Sequence, residues 1–314
     1  MSDRVEWLDE RLAAAGLRRT GEVTCSRDRP WSTVHTAQTT GGPVWLKAPG
    51  PGTVFEVALY DLLARVTPEW VLHPIAVDTG RGWVLLPDGG STLGESVTDV
   101  VDGLVAVLPQ YAQLQRDLAP HTGELLSFGV ADMRPDVMPD RFDEAVASIT
   151  ALTGDRLDDV RAMRPVYAAW CARLATSPVP ASIDHNDLHP GNVFADGDRI
   201  RFYDWGDAVV AHPFASMLVP AAMVRERLGV GPDDAAVRRI RDAYLEVWSD
   251  LAPHRELVTE LELACWVGKV ARTLVWDRAL RTQGHDQARK FVDAPRQHLT
   301  ALLAASWSDL AKGD

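Results

Sequence analysis

The sequence predicts an α+β fold in which a small antiparallel-sheet lobe precedes a larger helical lobe. In the first ninety residues, strand-like runs alternate with hairpin turn signals such as Gly41-Gly42. After Leu86 the apolar strand gives way to the Pro/Gly-rich run Pro87-Asp88-Gly89-Gly90. Beyond it, apolar residues recur mainly at helical spacing. We therefore expect two lobes, residues 1–88 and 89–314.

The first lobe is predicted to contain two helices and five strands. The first helix has Val5, Leu8 and Leu12 on one face, and Gly16 is a plausible stop. Thr79-Gly80 joins the last two strands. The predicted helices are 3–16 and 53–66, and the predicted strands are 21–26, 33–39, 43–48, 71–78 and 82–87.

The second lobe is predicted to be helical, with Pro109 kinking or splitting its first helix. An aromatic stripe on such helices, including Trp248 and Trp276, is more typical of a core than of a binding site. The stretch 133–139 is broken by proline. The predicted helices are 93–118, 142–152, 160–175, 214–227, 234–251, 256–281 and 287–306.

A polar stretch between residues 183 and 206 carries the clearest chemical signal. Val193-Phe194 leads into the turn 195–198, and the run 200–203 reads as the returning strand. This hairpin would bring Asn192 and Asp204 together near its open end. An amide oxygen and a carboxylate suit a hard cation such as Mg²⁺, with phosphate oxygens and water as further ligands. A chance polar loop with an Asx-rich turn is the alternative interpretation.

The pattern His185-x-Asp187-x-x-x-x-Asn192, followed by Asp204-Trp205-Gly206, resembles the catalytic and metal-binding loops of the aminoglycoside phosphotransferase family. These enzymes are small-molecule relatives of the protein kinases. The resemblance implies a two-lobed, protein-kinase-like fold that uses ATP, with GTP not excluded, together with Mg²⁺. It implies that Asp187 acts as the catalytic base and that Asn192 and Asp204 hold the metal.

Lys47 lies in the apolar strand run Val44-Trp45-Leu46-Lys47-Ala48. An ammonium flanked by apolar residues requires a partner if it is buried. The resemblance implies that Lys47 binds the α- and β-phosphates and pairs with an acid on the next helix. Glu56 is the better candidate by analogy, and Asp61 is the other acid. The alternatives are a solvent-facing lysine on an edge strand and an acid on a solvated helix face.

The resemblance also assigns the adenine and phosphate contacts. It implies that the adenine ring hydrogen-bonds to the backbone of the linker near Leu86 and Asp88. The loop 26–32, which would cover the phosphates, contains no glycine, although backbone amides approach phosphates most easily at glycine. Arg27 and Arg29 supply charge instead, or they are simply solvated.

Four residues near the motif qualify the resemblance. His185 matches a histidine that braces the loop. Ser216 stands where the family often has an aspartate bracing the catalytic loop, so another group must brace it or the loop is looser. Gly206 stands where relatives often have a further acid. Asp207 either caps the following turn or faces a cationic substrate, and we expect capping.

Composition excludes several other classes. The chain has 314 residues, 46% of them hydrophobic and 24% charged, with a formal net charge of −12. This acidity argues against nonspecific nucleic-acid binding. Three scattered cysteines suggest neither a disulfide framework nor a zinc site. The charged start without an apolar signal core and the lack of a long apolar run predict a cytoplasmic protein without a membrane span.

We therefore expect an ATP-dependent O-phosphotransferase acting on a hydroxyl of a small molecule, with a cationic antibiotic or amino sugar as the expected acceptor. Residues 1–92 hold 9 of the 32 basic and 11 of the 44 acidic residues, which leaves 23 and 33 for the rest. This acidic field would attract cations, or it only maintains solubility. Alternatives are a kinase of a neutral metabolite and a non-catalytic nucleotide-binding module. A protein kinase is disfavoured because no Ala-Pro-Glu-like segment follows Gly206.

Overall fold

The N-terminal lobe contains a five-stranded antiparallel sheet flanked by two helices, as the sequence predicts. The structure, a computed structural model, describes residues 2–149, 154–197, 199–281 and 286–310. The strand order is β1-β2-β3-β5-β4. The strands are β1 Thr24–Arg29, β2 Ser32–Thr39, β3 Gly42–Pro49, β4 Ala76–Asp78 and β5 Trp83–Pro87, and the helices are α1 Ser2–Ala14 and α2 Phe55–Val66.

The first strand lies three residues later than predicted, and this shortens the phosphate loop. Arg29 pairs with Ser32, so only Pro30 and Trp31 form the turn. Much of the stretch 26–32 is therefore strand. The strand predicted over 71–78 is confined to 76–78. Helix α1 packs Leu8 and Leu12 against the sheet in a small separate core.

The second lobe is built from ten helices of the described residues, joined by short 3₁₀ turns. Long helix α11 runs through its centre and contacts α6, α8, α10 and α12. The helices are α3 Leu93–Ser96, α4 Val100–Leu118, α5 Thr122–Ser127, α6 Met138–Ser148, α7 Asp155–Ala162, α8 Arg164–Leu174, α9 Leu218–Leu228, α10 Ala235–Glu246, α11 His254–Leu280 and α12 Ala294–Thr300.

Several helices differ from their predicted bounds, and some are divided at a cap or a proline. The helix predicted over 93–118 breaks before Asp99, whose carboxylate accepts hydrogen bonds from the N–H groups of Val101 and Asp102. Pro109 lies inside α4, which continues as one helix from Val100 to Leu118, so this proline does not split it. The segment predicted over 287–306 contains α12 between 3₁₀ turns at 286–291 and 301–303. The helix predicted over 142–152 ends at Ser148, and 150–152 lie outside the described residues.

Two small sheets carry the polar stretch. In the three-stranded sheet, β10 lies between β6 and β7. The predicted hairpin is present as β8 and β9, with Val193 opposite Phe202. Asp198 of its turn lies outside the described residues. The strands are β6 Ala131–Met133, β7 Ser182–Asp184, β8 Val193–Asp196, β9 Arg199–Phe202 and β10 Val209–Ala211.

One continuous hydrophobic core joins α2, the linker region and the helical lobe. Trp205 and Trp248 are fully buried in it, whereas Trp266 only packs against it from a partly exposed position. The expectation that these aromatic residues are core is thus confirmed at Trp248. None of the helices in the described segments combines the length and apolarity needed to cross a bilayer.

The linker packs closely on the β8–β9 hairpin. A Cβ atom added to Gly89 would lie 2.3 Å from the ring of Phe194. That ring is stacked on Tyr203, with centroids 4.0 Å apart. A glycine at this position therefore lets the linker approach the hairpin that carries the polar stretch.

We expect Gly89→Ala to lower the free energy of unfolding by about 1 to 3 kcal/mol, because the added methyl group displaces a stacked ring. Gly123→Ala is the control, since a Cβ there meets no atom within 4 Å. Urea unfolding of both variants measures the effect. Equal stability of the two variants would contradict the close packing of the linker.

Candidate active site

The ammonium of Lys47 joins the two lobes. Strand β3 lies between β2 and β5, so Lys47 is on an interior strand, and it is 9% exposed. Its Nζ lies 2.7 Å from Oε1 of Glu56 and 2.6 Å from Oδ1 of Asp204. Asp61, the other acid of α2, is exposed. A buried cation held between two carboxylates has the partners that its burial requires.

The pKa values in this cluster follow from burial and mutual charge. Burial alone would lower the pKa of Lys47, but the charges of Asp204 and Glu56 raise it well above its ordinary range. Burial raises the pKa of Glu56. Burial also acts to raise the pKa of Asp204, yet the charge of Lys47 holds that pKa below its ordinary value. Lys47 and Asp204 are therefore charged at neutral pH.

Glu56 also orients the segment that bears Asp204. Its Oε1 accepts a hydrogen bond from the backbone N–H of Trp205 at 3.1 Å. Asp204 itself has a left-handed backbone conformation, with φ of 63°. Because a left-handed conformation is uncommon in residues other than glycine, this backbone needs support from its surroundings. The hydrogen bond from Trp205 to Glu56 provides it from the other lobe.

Asp187 lies in the loop 185–192, called the catalytic loop below after its predicted role, and three side chains hold it. Its Oδ1 accepts a hydrogen bond from Nη2 of Arg272 at 3.1 Å. Its Oδ2 lies 3.4 Å from Nδ2 of Asn192 and 3.5 Å from Nε2 of His189. Burial raises the pKa of Asp187, but His189 and Arg272 outweigh it and hold that pKa well below its ordinary value. The carboxylate is thus ionised and oriented.

His189 takes part in holding the loop. Its Nδ1 accepts a hydrogen bond from the N–H of Gly191 at 3.0 Å, so the proton of the neutral ring is on Nε2, facing Asp187. His185 is fully buried, and its Nε2 lies 2.9 Å from the carbonyl oxygen of Tyr203. Burial lowers the pKa of His185, so this ring is a neutral link between the catalytic loop and β9.

The oxygen atoms of Asn192 and Asp204 fit a hard cation. Nδ2 of Asn192 donates to the carbonyl oxygen of Asp187 at 2.9 Å, which leaves the amide Oδ1 available for another ligand. The Asp204 side chain is 34% exposed and ionised, and only its Oδ1 contacts Lys47. In the described part of the chain, no three or more His, Cys, Asp or Glu residues form a cluster suited to a metal. A cation bound here would therefore need phosphate or water ligands as well.

A buried polar network replaces the bracing aspartate that the sequence lacks at Ser216. The hydroxyl of Ser216 donates to Oδ1 of Asp184 at 2.6 Å, and the same oxygen accepts the N–H of Asn186 at 2.8 Å. The hydroxyl of Tyr111 lies 2.9 Å from that of Ser216 and accepts the N–H of His185 at 2.9 Å. The carboxylate of this network is that of Asp184, which binds Ser216, and the loop is braced rather than loose.

Gln115 extends this network into the helical lobe. Its Nε2 donates to the carbonyl oxygens of Ile183 and Pro213, at 2.7 and 3.1 Å. Its Oε1 accepts the hydroxyl of Tyr244 at 2.6 Å. Helices α4 and α10 are therefore linked to strand β7, which leads directly into the catalytic loop.

The structure corrects one expectation at Asp207 and clarifies another at the phosphate loop. Asp207 does not cap the following turn, since its side chain hydrogen-bonds to none of the described residues. Burial, followed by the charge of Asp187, raises the pKa of Asp207. At the phosphate loop, the carbonyl oxygen of Trp31 accepts bonds from Gly50 N–H at 2.7 Å and Thr53 Oγ1 at 2.8 Å. Arg27 is exposed.

The linker residues lie where β5 leaves the sheet. Leu86 is buried and lies opposite Trp45 in the pairing of β3 and β5, and Asp88 is an exposed residue just after the strand. Ala195 of the hairpin donates to the carbonyl oxygen of Ser91 at 3.0 Å. The linker backbone therefore runs between the sheet and the hairpin. Its proposed contact with adenine stays a prediction.

A cavity of about 780 Å³ lies beside the catalytic loop in the helical lobe. His189 and Arg272, which both face Asp187, form part of its wall. Val219 and Met223 of α9 contribute an apolar side. Its volume is in the range of pockets that hold drug-sized ligands.

The sequence analysis did not identify the residues that hold Asp187 but are distant from it in sequence. Arg272 lies 85 residues away in α11, and nothing in the local helical pattern of α11 distinguishes it from a surface arginine. Asp184 directly precedes the motif, but its role depends on Ser216 and Tyr111, which come from separate segments. One sequence signal would have indicated the network. An acid, Asp184, directly precedes the motif, and Ser216, 32 residues later, stands where the resembled family often has an aspartate.

We expect Asp184→Ala to lower the free energy of unfolding by about 2 to 3 kcal/mol, because it leaves buried hydrogen-bond donors unpaired. Asp184→Asn keeps an acceptor oxygen and should cost less. Urea unfolding and the rate of phosphoryl transfer measure the effect, with the exposed Glu246→Ala as control. A stable and fully active Asp184→Ala protein would contradict the bracing role.

The raised pKa of Asp184 predicts that the stability of the protein depends on pH. Burial raises the pKa of Asp184 from 3.8 to about 6. Between these values the folded protein binds a proton that the unfolded chain does not, so this group's contribution to stability falls as pH rises through that window. The difference in unfolding free energy between wild type and Asp184→Asn should change with pH there and level off above it. A pH-independent difference would argue against the raised pKa.

Comparisons with known proteins agree with this geometry. The model of a phosphotransferase enzyme family, APH, matches residues 32–257. No curated protein matches the chain. One similar solved structure is the macrolide 2'-phosphotransferase MphH from Brachybacterium faecium, with 16% identity, a TM-score of 0.56 and coverage of 93% of this chain and 97% of that one.

Two further structures show the same fold. An ethanolamine kinase from Plasmodium vivax has 13% identity and a TM-score of 0.62, covering 90% of this chain and 82% of that one. The ADP-bound aminoglycoside phosphotransferase APH(2'')-Ib has 14% identity and a TM-score of 0.57, covering 96% and 98%. Because the family model matches more than half of the chain, this protein belongs to the phosphotransferase enzyme family and is a small-molecule phosphotransferase with a protein-kinase-like fold.

Proposed function

We propose that this chain transfers the terminal phosphoryl group of ATP to a hydroxyl group of a small molecule in the adjoining cavity. The observation that most supports this proposal is the contact of 2.6 Å between Lys47 and Asp204, which are 157 residues apart in sequence. The contact joins the cation that we assign to phosphate binding and the carboxylate that we assign to metal binding, and the charge of Asp187 also acts on Asp204. Kinase-like phosphoryl transfer depends on that combination of charges.

Each group has a distinct role in this proposal. Lys47 binds the α- and β-phosphates and is oriented by Glu56. The backbone near Leu86 and Asp88 binds the adenine ring. Asn192 and Asp204 hold Mg²⁺, which when bound offsets negative charge on the phosphates.

The transfer itself needs orientation and one proton acceptor. Asp187 accepts a hydrogen bond from the acceptor hydroxyl and directs its oxygen toward the γ-phosphorus. The bond from that phosphorus to the β,γ-bridging oxygen breaks, and the electron pair leaves with ADP. The new oxygen–phosphorus bond forms as the hydroxyl proton passes to Asp187. A carboxylate with a low pKa is a weak base, so its main contribution is orientation, and it takes up the proton late.

The cavity favours an antibiotic-sized acceptor with an amine. About 780 Å³ far exceeds what an ethanolamine-sized molecule fills. The Arg225 guanidinium in its wall is paired with Asp309 at 2.6 Å. Glu226, also in the wall, is exposed and makes no ion pair with the described residues. An acceptor with an apolar body and a cationic amine would match the apolar side of the cavity and this carboxylate.

The neutral-metabolite alternative draws support from the paired charges of the wall. Arg225 and Arg272 offset Asp309 and Asp187, so the acidic excess of the helical lobe is not concentrated at the cavity. A non-catalytic nucleotide-binding module is the other alternative. The ionised and oriented Asp187 favours catalysis over that alternative.

ADP release over a panel of acceptors tests the proposal. The panel contains an aminoglycoside, a macrolide, amino sugars, ethanolamine and a neutral sugar, each with and without Mg²⁺. We expect Mg²⁺-dependent ADP release with a large amine-bearing compound and a phosphorylated product by mass spectrometry. Rising salt should weaken the apparent affinity of a cationic acceptor. Tight ATP binding without turnover on any acceptor would support the non-catalytic module instead.

We expect Asp187→Asn to reduce phosphoryl transfer by about 100-fold or more, since the amide neither orients the hydroxyl as a charged acceptor nor takes up its proton. Its affinity for Mg·ATP should change little, because Asp187 is assigned to the acceptor. Single-turnover kinetics and a nucleotide titration separate the two effects. Transfer within a few-fold of the wild-type rate would rule out the role assigned to Asp187.

A further inference from the structure

We propose that Arg272 of α11 is a positioning residue for phosphoryl transfer, an inference that rests on the proposed function. Its guanidinium holds two consecutive residues of the catalytic loop. Nη2 donates to Oδ1 of Asp187 at 3.1 Å. Nη1 donates to the carbonyl oxygen of Asn186. One planar group therefore fixes both the base and the backbone just before it.

The backbone at Asn186 needs such a restraint. Its φ is 61°, in the left-handed region, which asparagine adopts more readily than most residues other than glycine but which is still uncommon. Its side-chain Nδ2 is buried and has no partner among the described residues, so the side chain does not offset the strain. The support comes from both sides of the peptide. Asp184 accepts the N–H of Asn186 at 2.8 Å, and Arg272 binds its carbonyl oxygen.

Arg272 also determines which oxygen of Asp187 faces the acceptor. Its contact to Oδ1 is shorter than either contact to Oδ2, which are 3.4 and 3.5 Å. Oδ1 is thus anchored, and Oδ2 has only long contacts. The acceptor hydroxyl would bind Oδ2, while the rotation of the carboxylate about its Cβ–Cγ bond is fixed by the arginine.

Stability alone does not account for this arginine. It is 8% exposed, and its Nε has no partner among the described residues. A buried ion pair contributes little to stability relative to apolar residues of similar size, because desolvation of the charges offsets their attraction. Arg272 also lines the cavity proposed for the acceptor. A costly charge at the boundary between base and acceptor fits a role in the reaction.

The two contacts require the shape of arginine. A lysine supplies one compact charge and cannot span Asp187 and Asn186 in the planar geometry of a guanidinium. A glutamine is uncharged and shorter. The expected order of activity is therefore arginine, lysine, glutamine, with free guanidinium ion partly replacing the missing group in the glutamine variant.

Single-turnover hydrolysis of Mg·ATP, with water as the acceptor, tests this without a known acceptor. We expect Arg272→Gln to slow hydrolysis about 10- to 100-fold, as misplacement of a catalytic group does, while the Kd for Mg·ATP changes less than about twofold. Arg272→Lys should be intermediate. Millimolar guanidinium chloride should restore part of the rate of Arg272→Gln and leave wild type unchanged.

Arg116→Gln is the matched control, because Arg116 is a partly buried arginine of α4, away from the site, that is paired with Asp250 at 2.5 Å. It should keep the wild-type rate. Rates are normalised to bound nucleotide, so a partly unfolded sample does not imitate the effect. Wild-type hydrolysis retained in Arg272→Gln, or a loss equal to that of Arg116→Gln, would overturn this inference alone. A wild-type protein that neither binds nor hydrolyses Mg·ATP would overturn the proposed function, and this inference with it.

Discussion

The ion cluster of Lys47, Glu56 and Asp204 is the interaction on which the site depends. Its members come from an interior strand, a helix of the first lobe and the segment after the β8–β9 hairpin. A buried ammonium between two carboxylates is costly to separate, since each group would be left without its partner. The cluster therefore fixes how the sheet lobe meets the hairpin. Trp205, which donates its N–H to Glu56, carries this constraint into the core of the helical lobe.

The catalytic loop is positioned from the other side by groups of the helical lobe. Asp184, Ser216 and Tyr111 hold its start, and Gln115 ties that network to α4 and α10. Arg272 reaches the same loop from α11. Asn186 and Asp204, the two described residues other than glycine with a left-handed backbone, thus lie at places where buried polar partners converge. Strain that persists at a predicted functional site is consistent with a loop whose geometry matters for chemistry.

Local sequence patterns were sufficient for the fold class and for the hairpin, because both depend on spacing within short segments. The sheet lobe, the break after Leu86 and the presence of a hairpin near residues 193–203 follow from alternation and turn residues, whereas the register that pairs Val193 with Phe202 does not. Positions set by distant contacts could not be found in this way. The first strand lies later than predicted because Arg29 pairs with Ser32 across the turn at Pro30, and Asp207 is partly buried near the charge of Asp187 instead of capping a turn. The bracing contact between Asp184 and Ser216 could not be predicted, because the two residues are 32 positions apart in sequence and meet only in the folded chain, at 2.6 Å.

The central claim is that Glu56 and Lys47 act as one unit in nucleotide binding, because Glu56 is assigned no contact with ATP and its charge orients Lys47. Its other role, accepting the N–H of Trp205, needs only an oxygen atom, which glutamine keeps. The most direct measurement is a double-mutant cycle of Mg·ATP affinity by calorimetry, with Lys47→Ala, Glu56→Gln and the double variant, each shown to be folded. The account predicts that Glu56→Gln weakens binding in the wild type and has almost no further effect once Lys47 is absent. Additive losses in the double variant would contradict it.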